Sequence, residues 1–159
     1  MGNLKIYEVD PAYIDHLAPC APHLFHNSSG GANARKFIGI VLSVGGMDYF
    51  APLSSFKPKH RTMKPGLDFL KVKDYAVINL NCMFPVPRSA CSYVDFSKVR
   101  DPSYRALLLA EYRVIKSMQA KIRKNAATLY RLKTSGEDTP LTRRCNDFKA
   151  LEAACAEWR

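Results

Sequence analysis

The 159-residue sequence predicts an α+β domain, a small antiparallel sheet with helices packed on it, including one long amphipathic helix. Two observations lead there. The first half carries short runs rich in β-branched and aromatic residues, split by Gly and Pro, as strands and turns require. The second half changes to a helical period and keeps it for about thirty residues. A chain of this length favours one domain, residues 1–159, and can bury a real core.

The elements follow in order. Leu4 to Val9 alternates apolar and polar residues and reads as a first strand. Asp10 and Pro11 then start a short helix with Tyr13, Ile14 and Leu17 on one face. Residues 18–34 hold Pro19, Pro22 and "NSSGGAN", a loop long enough to expect a functional or mobile segment. Lys36 to Leu42 reads as a buried strand, "SVGG" as a turn using Gly45 and Gly46, and Met47 to Leu53 as the returning arm. "SSFKPKHRTMKPG" is loop-like. Phe69 to Val72 and Tyr75 to Leu80 are two more strands around Lys73 and Asp74. "NCMFPVP" continues the second of these towards an edge, and Tyr93 to Phe96 is one short strand more. Asp101 and Pro102 begin the long helix, which runs to about Leu132, and "TSGEDTP" ends it. A last helix starts near Asn146 and places Phe148, Leu151, Cys155 and Trp158 on one side.

Charge is the unusual feature. Lys and Arg number 24 against 14 Asp and Glu, a net +10. A domain this basic expects an anionic partner, nucleic acid first and a membrane surface second. The helix contributes Arg105, Arg113, Lys116, Lys121, Arg123, Lys124 and Arg131 on its polar side. No apolar run has the length that spans a bilayer, and "MGNLKIYEVD" lacks a signal-peptide core, so a cytoplasmic protein is expected. The five cysteines are widely spaced and form no C-x-x-C pair, which argues against a disulfide framework or a zinc site. Cys82 and Cys155 read as small buried hydrophobes.

No phosphate-binding glycine loop, dinucleotide fingerprint or H-E-x-x-H is present, and carboxylates never cluster as a two-metal nuclease needs. RNA, however, can be cut without metal or protein nucleophile, because its own 2′-OH attacks the adjacent phosphorus. The protein must align that attack, move two protons and stabilise the phosphoryl charge. Suitable groups concentrate in "LSSFKPKHR": Lys57 to neutralise phosphate or move a proton, Ser54 and Ser55 to orient it, with Arg35 one hairpin arm away to fork onto it. The plainer alternative is a Ser-Ser turn that satisfies its own backbone. Likewise His16, His23, His26 and His60 are more often structural than catalytic. A non-catalytic RNA- or DNA-binding module fits the charge equally well, and a membrane-surface protein fits it less well.

The segments "KFIGIVLSVGGMDYFAPLSSFKPKH" and "VINLNCMFPVP" resemble the endoribonuclease toxins of type III toxin–antitoxin systems, the ToxN/AbiQ family. "LKIYEVDPAYIDHL" and "RCNDFKALEAACAEW" resemble its two ends. The resemblance implies a MazF/Kid-like antiparallel sheet or barrel with helices, metal-independent and sequence-selective RNA cleavage, and no cofactor. It implies an RNA antitoxin that the toxin processes into pseudoknot units and with which it forms closed protein–RNA assemblies. Cellular or phage RNA would be the substrate. The family's hydroxyl–Ser–x–Lys run falls on Ser54, Ser55 and Lys57, its basic residue before the strand on Arg35, and its helix Tyr on Tyr13. The Tyr expected four residues before Arg35 is Gly31 here. The expected RNA contacts are Tyr13, Lys36, Lys59, His60, Arg61, Lys64, Arg113 and Lys116.

Overall fold

The computed structural model describes residues 2–23 and 35–159. The strands are β1 (Lys5–Val9), β2 (Lys36–Val44), β3 (Met47–Ser55), β4 (Phe69–Val72), β5 (Ala76–Asn79), β6 (Phe84–Pro85) and β7 (Cys91–Tyr93). The helices are α1 (Pro11–Leu17), α2 (Pro102–Thr134), α3 (Pro140–Arg143) and α4 (Phe148–Ala156). Among the described residues the strands form one seven-stranded sheet in the order β4-β5-β3-β2-β1-β7, with β6 also on β3. All its pairings are antiparallel.

The central hairpin forms where expected. Gly45 and Gly46 take φ of 57° and 79°, values that glycine reaches without a Cβ penalty. Three strand expectations are corrected. β3 runs on through Ser54 and Ser55, because β5 pairs with both. The chain after β5 makes a 3-10 turn at Leu80–Cys82 and only then returns to β3, with Phe84 opposite Phe50. The last strand is Cys91–Tyr93 rather than Tyr93–Phe96: Tyr93 is its final pair with β1, and Asp95 caps a 3-10 turn at Phe96–Lys98.

Each face of the sheet has its own cover. On one, Ile6, Ile38, Ala51, Leu53 and Ile78 pack with Leu108, Ile115, Ile122, Ala126 and Leu129 of α2. Asp101 caps that helix by accepting from Ser103 N and Tyr104 N, and Gly136, at φ 87°, follows its end. On the other face, Phe37, Phe50 and Phe84 pack with Tyr13, Ile14 and Leu17 of α1 and Leu151 of α4. Asp10 caps α1 as expected, accepting from Ala12 N. The helical turn α3 was not legible in "TSGEDTP", where Thr139 caps it. Of the cysteines, Cys82 and Cys145 are buried, whereas Cys155 is only half-buried.

The two covers depend on close contact within β2–β3. A Cβ at Gly39 would fall 2.6, 2.7 and 2.9 Å from three ring carbons of Phe50. That ring is buried and lies edge-on to Tyr7, so it has nowhere to go. Gly39→Ala is expected to cost about 1–3 kcal/mol in urea unfolding. The cost should shrink in a Phe50→Leu background; equal costs in both backgrounds would reject the contact as the cause.

Candidate active site

The candidate site lies where the α1/α4 cover ends. Phe37 is wholly buried beneath it, while Arg35, two residues back on the same face, is only half-buried. Lys36 pairs with Leu53, so carrying the register one step outward sets Arg35 against Ser54. The contact is made: Arg35 Nη1 donates to Ser54 Oγ at 2.9 Å. Burial works to lower the pKa of this guanidinium, but its intrinsic basicity keeps it charged.

The two serines do not act alike. Successive side chains of a strand point to opposite faces. Leu53 joins the α2 core, Ser54 turns to Arg35, and Ser55, back on the Leu53 side, is exposed as the last residue of β3. The structure therefore joins Ser54 with Arg35 and places Ser55 beside them through the chain alone.

Lys57 follows in an extended conformation, φ −112° and ψ 161°, as suits a residue before proline. Pro58 then opens a 3-10 turn, Pro58–Arg61. Two hydrogen bonds close it: His60 N donates to the Lys57 carbonyl at 2.9 Å, and Lys57 N donates to His60 Nδ1 at 2.8 Å. His60 is 6% exposed, and its ring lies 5.6 Å from both Phe56 and Phe69. Burial lowers its pKa, and Lys59, Lys57 and Lys71 lower it further. Because Nδ1 accepts, the neutral ring carries its proton on Nε2.

The remaining expected contacts separate into exposed and buried groups. Lys59, Arg61 and Lys64 are exposed in the same loop. Arg113 and Lys116 are exposed on α2, which covers the sheet face opposite Ser54. Tyr13 and Lys36 are corrections to the sequence reading. Tyr13 is wholly buried, donating its hydroxyl to the Pro85 carbonyl, and burial raises its pKa. Lys36 is 6% exposed and pairs with Glu8 at 3.0 Å. Neither side chain offers RNA a surface. His60, buried between two rings, is likewise no exposed cation. Gly31 and His26 lie outside the described residues.

Sequence reasoning missed Lys71 and Cys82. Lys71 pairs across Val77 to Ser54, and its Nζ reaches the Arg61 carbonyl at 3.4 Å. Only the strand order β4-β5-β3 brings it there. Cys82 lies buried near Arg35; burial, then Cys145 and Asp68, pushes its thiol up to about 12 against the opposing pull of Arg35. It is thus neutral and no nucleophile. Among the described residues, no group of three or more His, Cys, Asp or Glu gathers where it could hold a metal ion, and no helix is long and apolar enough to cross a membrane.

Known proteins share this fold. The chain is 26% identical to "Endoribonuclease ToxN" of Bacillus thuringiensis subsp. kurstaki, over 99% of this chain and 85% of that protein. It superimposes with a TM-score of 0.85 on a solved structure described as "A processed non-coding RNA regulates a bacterial antiviral system", at 26% identity over 97% of this chain and 98% of that one. A second, described by "selective toxin inhibition by a non-coding RNA pseudoknot", gives 0.82 at 25% identity over 98% of both chains. Fold and relatives together define a small endoribonuclease toxin built on an antiparallel sheet. The family model "Toxin ToxN, type III toxin-antitoxin system" matches residues 5–156, and the chain belongs to that family.

The thiols give a direct check of the site's packing. At pH 8, iodoacetamide should label exposed Cys20 in the folded protein and reach Cys82 and Cys145, held up to about 12 and about 11 by burial, only after denaturation. Mass spectrometry reads the order; early modification of Cys82 would mean the packing around it is open.

Proposed function

We propose that this chain cleaves RNA at the end of the β2–β3 hairpin, as the endoribonuclease toxin of a type III toxin–antitoxin pair. The observation that carries the reading is the preformed Arg35–Ser54 contact at 2.9 Å, with Lys57 two residues beyond β3. In this reading the 2′-oxygen of the substrate attacks the neighbouring phosphorus and the bond to the 5′-oxygen breaks. A proton leaves the 2′-OH and one reaches the departing 5′-oxygen, giving a 2′,3′-cyclic phosphate and a 5′-OH end.

The chain's own groups meet the charge-stabilising and positioning needs of that step. Arg35 offers a planar fork to two phosphoryl oxygens while Ser54 holds one of its nitrogens in place. Lys57 adds a point charge where negative charge gathers, and the Ser55 hydroxyl donates from the strand end. Lys59, Arg61 and Lys64 extend the cationic surface along the loop, where phosphates on either side of the scissile one would bind. No protein atom is needed as nucleophile, and the chemistry proposed is metal-independent. The inhibitor proposed is a pseudoknotted RNA antitoxin, which the toxin also processes and joins in a closed assembly. The likeness to a toxin described with a non-coding RNA pseudoknot supports that part.

Ser55→Ala and Lys57→Ala are expected to abolish cleavage of mixed-sequence RNA while retaining binding, measured by the appearance of discrete 5′-OH ends. Arg35→Ala should lose roughly 10²–10³-fold in rate, the usual scale for one charge-stabilising donor. Wild-type cutting by the Ser55 and Lys57 variants together would sink this assignment of the site. Cleavage should also persist in EDTA; loss on chelation would require a metal step instead.

A further inference from the structure

His60 is unlike the cations around it. Lys57, Lys59 and Arg61 are exposed, whereas the imidazole is buried between Phe56 and Phe69. His60 is bonded twice to one residue, Lys57, through its main-chain N–H and through ring Nδ1. Phe69 belongs to β4, so the ring ties the turn to the sheet. Lys71 of the same strand adds a bond to the Arg61 carbonyl at 3.4 Å. The Lys57 side chain has four rotatable bonds and an exposed end, so its reach is set by where its main chain is held.

We propose that His60 is a positioning residue for RNA cleavage, its neutral imidazole locking the Lys57 main chain so that the ammonium stands at the end of β3. The proposal rests on the reading of Lys57 as a catalytic group. It gives the buried ring a role that an exposed RNA-contacting histidine would not have. Protonation at Nδ1 would turn the acceptor into a donor facing the Lys57 N–H and break the lock.

The direction of the pH effect follows. An unfolded imidazole titrates near ~6.5. In the fold, burial lowers that value, and the charges facing the ring, Lys59, Lys57 and Lys71, lower it further. The unlocked chain thus takes up its proton at higher pH than the locked one. The lock contributes fully above about pH 6.5, and its contribution is lost as pH falls from there through the folded pKa.

The test compares variants on mixed-sequence RNA across pH 5–8. His60→Ala should lower kcat about 10²-fold with KM little changed, the scale of a misplaced catalytic group. His60→Asn sets an amide oxygen near the Nδ1 position and does not titrate, so it should recover most of that loss and flatten the acid limb. His60→Gln, whose amide reaches the Nε2 position instead, should not recover it. Hydrogen exchange at the Lys57 amide should be slow in the wild type and in His60→Asn, and fast in His60→Ala. An unchanged acid limb in His60→Asn, or wild-type kcat in His60→Ala, overturns the proposal. Should His60→Ala fail to fold, the pH profile of His60→Asn decides by itself. Lys57→Ala is run alongside: if it cuts like the wild type, the site reading itself falls. If it is dead while His60→Ala is fully active, only the role of His60 falls.

Discussion

Everything in this fold depends on the register of β2 against β3. Lys36 faces Leu53, Phe37 faces Pro52 and Ile38 faces Ala51, and the register shifts at a bulge only between Gly39 and Leu42. These are the sheet's central strands, so each side chain they present is assigned to one cover or the other. A slip of one residue would exchange the two faces along the strand. In one direction it would put Ser54 in Leu53's place in the α2 core; in the other it would set Leu53 against Arg35. The pairing of β5 with Leu53, Ser54 and Ser55 secures the register from the far side. The site is therefore held by two neighbouring strands before any loop contributes to it.

The large positive charge divides by partnership into two populations. Several cations serve the fold. Lys36 pairs with Glu8, Arg144 makes a forked pair with buried Asp68, Arg105 binds the Val99 carbonyl, and Arg123 binds that of Ile40. These are bonded to the protein's own acceptors. Others, including Lys57, Lys59, Arg61 and Lys64, stand exposed around one end of the central hairpin. An excess of ten positive charges describes the molecule's affinity for polyanions, but only the second population gives that affinity a location.

Much of this was legible in the sequence because local signals were strong. Two adjacent glycines in a β-rich context fixed the hairpin, Asp-Pro marked the starts of α1 and α2, and apolar spacing marked the α2 face. What stayed hidden depended on distant neighbours. Ser54 and Ser55 look like a turn until β5 is laid beside them. Lys71 joins the site only through the strand order, and Tyr13 and Lys36 look available until their covers are built. His60 looked like one more loop cation, because neither aromatic slot nor main-chain acceptor role leaves a mark at the level of residue type. A pleated strand also separates adjacent hydroxyls that a linear motif groups together.

The hairpin keeps its turn and its Arg35–Ser54 contact at opposite ends. The arms, Lys36–Val44 and Met47–Ser55, are nine residues each, roughly 27 Å long at ~3.4 Å per residue, with Gly45 and Gly46 at one end and Arg35 and Ser54 at the other. Both glycines are exposed, and a Cβ on either would meet nothing within 4 Å. The tip is thus a natural seam in the molecule. An epitope, a fluorophore or a few grafted residues could be spliced in there while the Arg35–Ser54 end keeps its alignment, giving a handle for following the toxin without disturbing that end.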